Sequence, residues 1–480
     1  MAINWNLTPI FMDIVSKCSG WRSRFARHPQ ATGRADGCWA LVTGRTRSIA
    51  VVFCLLAGGF APQAAAQPDA AKADAAIRSF MAQQGIPAAH VTIVRGDTLV
   101  LQRGYGSGRD GGPTPAATSL FPIGSISKQF TAATIIALAD AGKLRLDAAV
   151  GAYLPEWFAG EPALRVSHLL AQTSGLADFL WLDGYRPLAD DATTPMTAFI
   201  ELAAKAPRRF APGARWAYSN TNYKALALIA ERVGGRPFDD LLRDLVLLPA
   251  GIDGIAPCHS LRADEFVPGI SSAGKPTPLD ASAAAYVGDG GLCASAAALT
   301  RWVRLALAAP KAASRLARPT RLADGTRVPY GFGLSTREFL GRTMLWHGGN
   351  VDSHSTMIAY LPDEDLGLVI LVNKGLVWLT ELMPALIGAA PPSREAAPGA
   401  PLSGRFEDGL FRYVVTAVGD RMQVEIDLIE MLEFVASGTR EFVAVKYPAT
   451  FRLRLPADGS RDRFEFDWSE LRSYARRVPE

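Results

Sequence analysis

Two residues in the first third of this 480-residue chain have the types and spacing for acyl transfer. Ser125 carries a hydroxyl that needs a base before it can attack a carbonyl carbon, and Lys128 follows three residues later. In a helix that spacing puts both side chains on one face. The segment FPIGSISK opens an apolar stretch, FTAATIIALADAGKL, with Gly142 near its end, so Ser125 is expected at a helix start. There the unpaired amides and the helix dipole favour a developing oxyanion. Desolvation beside the hydroxyl favours the neutral lysine, which can accept the serine proton. The pair alone is a weak motif, because a capping serine followed by a solvated lysine has the same spelling.

Further motifs follow in order. Leu169 to Leu176 read LLAQTSGL, Pro212-Gly213 precede Tyr218-Ser219-Asn220, Gly290-Gly291-Leu292 stand before Ser295, and His347-Gly348-Gly349 come later. This series resembles the serine β-lactamase and penicillin-binding protein superfamily over about residues 73–387. Gln172 stands where the family's LLxHTSGL has histidine. Tyr218 and Asn220 are similar to the Tyr-x-Asn motif of class C β-lactamases and related peptidases. His347-Gly348-Gly349 resembles the His-x-Gly form of a third motif that is Lys-Thr-Gly in class C enzymes.

The resemblance implies roles. Tyr218 would exchange a proton with the leaving group or the deacylating water. Asn220 would accept from Lys128 and donate to a substrate carbonyl. His347, on an edge strand, would hydrogen-bond substrate or orient Tyr218. Gly349 would let a substrate backbone approach the strand. The backbone amides of Ser125 and Asn350 would form the oxyanion hole. Each has a plain structural alternative: a core tyrosine, a turn asparagine, a structural histidine. One departure is Ser353-His354, where relatives carry a Gly-aromatic pair; these polar groups are expected near the pocket rim. No counterpart of the class A deacylating glutamate is found, so a tyrosine mechanism fits better.

The elements that must hold these residues follow from periodicity. Ala71–Gln84 reads as a helix. His90–Val94 and Thr98–Gln102 form a hairpin around Arg95-Gly96-Asp97. A long Ala- and Leu-rich middle has helical spacing, including a helix from Thr221 to Val233. Strands are expected at Thr343–Trp346, Ser355–Leu361 and Gly367–Val372, and a last helix at Val377–Ile387. Local hairpins imply an α/β chain of the α+β type: an antiparallel sheet flanked by helices, with a helical subdomain. Residues 389–401 (AAPPSREAAPGAP) have linker composition. Beyond them Met422, Val424 and Ile426, then Phe451 and Leu453, then Phe464, Phe466 and Trp468 alternate with polar residues, which reads as a small all-β domain over 402–480. The expected organisation is an upstream extension and signal peptide over 1–66, a hydrolase domain over 67–388, the linker and the β domain.

Arg45 and Arg47 precede the apolar run Ile49–Phe60, and Ala64-Ala65-Ala66 follow. That is the layout of a secretory signal cleaved after Ala66, giving a periplasmic or secreted protein. Residues 1–41 lie upstream of it, and the reading frame is expected to start later, at Val42 if its codon serves as an alternative start. Residues 1–66 hold seven of the 50 basic and two of the 46 acidic residues, so the remainder carries a net charge of −1. Nothing in that balance favours nucleic acid. Cys258 and Cys293 remain after cleavage; two buried free thiols are expected, with a disulfide as the alternative on export. No Cys/His spacing reads as a metal site, and the chemistry needs no cofactor.

The expected function is a serine hydrolase forming an acyl-enzyme on Ser125. Its partner is a small-molecule or peptide substrate, cell-wall peptide included, and the sequence leaves the oligomeric state open. A D-amino-acid peptide or small ester is favoured, because His347 replaces a permanent cation. The alternatives are a dedicated class C-like β-lactamase and a non-catalytic penicillin-binding or sensor module.

Overall fold

The computed structural model describes residues 68–478 except 109–110, 279–284, 310–314, 329, 391–400, 408–411, 427–430, 447–449 and 469–470. The signal segment with its cleavage point, and most of the 389–401 linker, lie outside the described residues.

The first described helix, α1 (Ala70–Gln84), starts where Asp69 accepts from the amides of Ala71 and Lys72, and ends at Gly85, whose φ of 60° an L side chain rarely adopts. A six-stranded antiparallel sheet follows, built from both ends of the chain. Its strands are β1 (Ala88–Arg95), β2 (Thr98–Gly106), β6 (Ser335–Phe339), β7 (Arg342–Val351), β8 (His354–Leu361) and β9 (Leu366–Val372), in the order β2-β1-β9-β8-β7-β6. β9 and β8 are buried along their whole length and β1 all but its last residue, which is why they read as near-continuous apolar runs. β2, at one edge, is buried only at Leu101 and Tyr105. One face of the sheet packs on α1 through Ala73 and Ile77 against Ile93, Met357 and Ile370.

The helical middle contains α2 (Ser127–Asp140), α3 (Met196–Lys205) and α4 (Asn220–Gly234). A small sheet, β3 (Leu120–Pro122), β5 (Leu292–Ser295) and β4 (Ile255–Pro257), lies beside them in the order β3-β5-β4. The helix expected over 377–387 is instead a 3-10 turn at Leu379–Glu381 and a short helix at Met383–Leu386. Pro384 has no amide proton to continue the earlier turn, so it sits in the first turn of a new helix.

The period-two stretch beyond the linker forms a closed barrel of β10 (Gly404–Glu407), β11 (Arg412–Val418), β12 (Arg421–Ile426), β13 (Leu432–Ala436), β14 (Glu441–Ala444), β15 (Phe451–Arg454), β16 (Arg463–Trp468) and β17 (Leu471–Arg477). Its interior is filled by the alternating residues, among them Met422, Val424, Ile426, Phe451, Leu453, Phe464 and Phe466. The barrel docks on the 378–381 segment. The Glu381 carboxylate accepts from the Thr450 amide and hydroxyl at 2.7 and 2.8 Å, and the Trp378 and Phe451 rings meet edge to face at 5.1 Å.

Cys258 and Cys293 are joined by a disulfide, which corrects the expectation of free thiols. The reason is local pairing. β4 and β5 are neighbours with Ala256 opposite Cys293, so the chain leaving β4 carries Cys258 within bonding reach, the Cα atoms 5.0 Å apart.

Candidate active site

β3 hydrogen-bonds to β5, and the Ile123 amide donates to the Leu292 carbonyl at 2.9 Å. The chain then turns through a 3-10 segment, Gly124–Ile126, into α2. From Phe121 to Ile136 every residue is buried except Ser125, which keeps partial access to solvent. Its hydroxyl is thus the accessible one in an otherwise buried run. The neighbouring Ser127 is not: it is buried and its Oγ accepts from the Leu292 amide at 3.2 Å.

Lys128 is fully buried. Its Nζ lies 3.0 Å from Ser125 Oγ, donates to Asn220 Oδ1 and to the Asp289 carbonyl, each at 2.7 Å, and lies 4.9 Å from the centre of the Tyr218 ring. So Ser125, Lys128, Tyr218 and Asn220 converge although they come from two distant places in the chain. The lysine is wrapped by acceptors, an arrangement that stabilises the ammonium formed when it takes a proton. Asn220 opens α4, whose N-terminus thus faces the lysine.

Gln172 has a clear task. It adopts a φ of 60°, and its Oε1 accepts from the Ser219 amide at 3.0 Å and from Asn222 Nδ2. It therefore clamps the Tyr218-Ser219-Asn220 segment.

His347, Gly349 and Asn350 lie on β7, one strand in from the sheet edge rather than on it. The expectation of an edge is nonetheless met locally. β6 pairs only with Arg342–Trp346, so from His347 onward β7 has no partner in β6. Gly349 is required, since a Cβ there would sit 1.9 Å from the Ile123 carbonyl oxygen. A Cβ on Gly124, whose φ is +50°, would sit 2.8 Å from the Asn350 amide nitrogen. These two contacts bring the Ser125 turn and the Asn350 backbone side by side.

The His347 ring lies beside that of Tyr218, 6.3 Å from centre to centre. It is fully buried, Nδ1 donates to the Gly348 carbonyl at 2.6 Å, and Nε2 accepts from the Tyr330 hydroxyl at 3.0 Å. Both ring nitrogens are thus engaged, by Gly348 and Tyr330. Burial drives its pKa down to about 3; the hydrogen bond to the Gly348 carbonyl opposes this, and nearby Lys128 adds a lesser push downward. His354 is likewise internal rather than at a rim. Ser353 donates to its Nδ1 at 2.8 Å, Nε2 donates to the Val267 carbonyl at 2.9 Å, and burial lowers its pKa to about 4.

Three charged groups that sequence reading passed over stand behind the lysine. Asp178 is 4% exposed; its Oδ2 accepts from Asn220 Nδ2 at 2.8 Å and its Oδ1 from the Leu180 amide at 3.2 Å. Burial pushes its pKa up to about 6. Lys224 and Asp289 form a buried ion pair at 3.0 Å; burial lowers the lysine and raises the aspartate. A signal for Lys224 was present, since it follows Asn220 by four residues on one helical face. Asp178 was visible only as a single acid inside the apolar run LADFLWL.

Beyond Tyr218 opens a cavity of about 790 Å³, walled by Trp216, Tyr218 and Leu322 on one side and by Arg440, Arg454 and Phe464 of the barrel on the other. Among the described residues no cluster of His, Cys, Asp or Glu could hold a metal ion, and no helix is long and apolar enough to cross a membrane.

The chain resembles known proteins over this whole assembly. A D-aminopeptidase of Brucella canis is 28% identical over 304 residues, 60% of this chain and 56% of that protein. A D-aminopeptidase of Gluconobacter oxydans is 26% identical over 403 residues, 77% of this chain and 73% of that protein. The chain thus spans little more than half the length of the Brucella relative. The octameric penicillin-binding protein homologue from Pyrococcus abyssi shares the fold, with a TM-score of 0.59 and 20% identity over 85% of this chain and 100% of that one. The family model for β-lactamase matches residues 73–379, the stretch that carries Ser125, Lys128, Tyr218 and His347, and the chain belongs to that family.

Proposed function

We propose that the protein is an exported serine hydrolase that forms an acyl-enzyme on Ser125, with amides or esters of D-amino acids and their peptides as substrates. The observation that carries this reading is the 3.0 Å contact between a wholly buried Lys128 and the one accessible side chain of its segment, Ser125. As Ser125 Oγ bonds to the substrate carbonyl carbon, its proton passes to Lys128 Nζ and the carbonyl electron pair moves to oxygen. The amides of Ser125 and Asn350, placed together by Gly124 and Gly349, receive that oxyanion. Collapse expels the amine or alcohol, protonated by way of Tyr218 and Lys128. Water then attacks the ester along the same path in reverse and frees the acid and Ser125.

The D-amino-acid preference rests on the names of the relatives and on His347. A neutral, internally bonded histidine supplies no fixed cation for the carboxylate of a β-lactam. The cavity beyond Tyr218 leaves room for a peptidyl leaving group. The test is to treat the protein with a fluorophosphonate probe and map the modified residue, alongside turnover of a D-alanine nitroanilide. Labelling is expected on Ser125, with label and turnover both lost in Ser125→Ala. Label retained by that variant, on Ser127 or elsewhere, overturns the assignment.

A further inference from the structure

The nucleophile and its base are only the front of a buried chain of contacts. Ser125 Oγ meets Lys128 Nζ at 3.0 Å, Lys128 Nζ meets Asn220 Oδ1 at 2.7 Å, and Asn220 Nδ2 meets Asp178 Oδ2 at 2.8 Å. An asparagine side chain has one acceptor end and one donor end. Its acceptor end must face the lysine, and it can do so only if something on the far side takes the donor end. Asp178 is an acceptor at that place and, when ionised, offers nothing else.

Charge points the same way. Two lysines and two aspartates are buried behind Ser125: Lys128, Lys224, Asp178 and Asp289. Asp289 is paired with Lys224 at 3.0 Å. Asp289 also acts on Lys128 through space, and the Asp178 carboxylate stands on the far side of the Asn220 amide, one side chain away from Lys128. A charge created on Lys128 in a desolvated site is expensive unless a fixed opposite charge is already there.

We propose that Asp178 is a positioning residue for acylation: it fixes the Asn220 amide with Oδ1 toward Lys128 and supplies the buried negative charge that stabilises the ammonium formed when Ser125 gives up its proton. This rests on Ser125 being the nucleophile. The logic is that of a base oriented by a third group, with an amide inserted between acid and base. The plain alternative is that Asp178 only caps the 179–181 turn, where its Oδ1 accepts from Leu180. A cap would work equally well as asparagine.

The two readings part on pH. Burial is the main force against the ionised form of Asp178, with Asp289 adding to it; the hydrogen bonds from Asn220 and Leu180 and the charges of Lys128 and Lys224 favour ionisation, leaving it to titrate at about 6. Below that pH the carboxyl is neutral and the ammonium loses its counter-charge, so acylation slows as pH falls.

The experiment uses the whole chain and the second-order rate of fluorophosphonate labelling at Ser125, from about pH 4.5 to 8.5. The wild type is expected to show an acid limb with a midpoint near 6. Asp178→Asn is expected to label about 100-fold more slowly above that pH, with the limb gone. Folding of the variant is checked by thermal melting, and the wild-type profile needs no variant at all. A wild-type rate flat across this range overturns the inference, as does wild-type labelling by a folded Asp178→Asn. Ser125 unlabelled in the wild type removes the serine-hydrolase reading and this inference together. Labelling of Ser125 that is indifferent to Asp178 removes the inference alone.

Discussion

At the scale of single residues, the arrangement separates groups that share a spelling. Ser125 and Ser127 are two residues apart, yet one is presented to solvent and the other satisfies a backbone amide. Hydroxyl spacing was legible in the sequence; which hydroxyl is spent on the fold was not, because that depends on β5 arriving 165 residues later. His347 gives the sharper case. Its place in the motif order was legible, but its protonation was not, since burial by surrounding elements decides it. A histidine held at about 3 stays neutral through the ordinary assay range. The ratio of specificity constants for a chromogenic cephalosporin and a nitrophenyl ester is therefore expected to stay flat from about pH 5.5 to 8.5, the range that brackets an unperturbed histidine. Titration of Asp178 acts on both substrates alike and cancels in the ratio. A ratio that rises several-fold toward acid would mean that a cation is being gained beside the substrate carboxylate, and that His347 is not as enclosed as its contacts imply.

Elements set what these residues can reach. The turn before α2 and the far half of β7 approach so closely that glycine is needed on both sides, Gly124 facing Asn350 and Gly349 facing Ile123. At Gly124 the positive φ adds a second demand, because side chains with a Cβ resist it. Gly124→Ala is thus expected to lose about 1 kcal/mol of stability or more, by urea denaturation. It should also slow fluorophosphonate labelling by pushing the Asn350 amide from its place. A variant with wild-type midpoint and labelling rate would show that this approach is slack and that the two amides are not held as a pair. The strands themselves were largely readable, since β8, β9 and the barrel strands carry plain apolar runs or period-two patterns. The helix at 377–387 was misread for the opposite reason. Its apolar spacing suits a helix, but Pro384 and the docking of the barrel on Trp378 and Glu381 divide it.

For the whole molecule, the sequence indicated a β region at the C-terminal end but not its closure into a barrel. Closure depends on the first strand meeting the last, Phe406 beside Arg477, a pairing with no local signal. Nor could spacing reveal that barrel residues would wall a cavity ending at Tyr218. The proposed export is tested by sequencing the N-terminus of protein recovered from its native envelope. A start at Gln67 is expected from the Ala64-Ala65-Ala66 site, and a retained 42–66 segment overturns cleavage. Export also bears on the disulfide. The bond joins the turn after β4 to β5, and β5 continues directly from the segment whose Asp289 carbonyl holds Lys128. Closing a 35-residue span restrains the unfolded chain by about 3–4 kcal/mol in the loop-entropy model. A chain still in a reducing compartment lacks that cross-link. Under the proposed export, the newly made chain carries no tie between Cys258 and Cys293 until it is oxidised, so the compartment in which it matures sets how firmly that part of the fold is held.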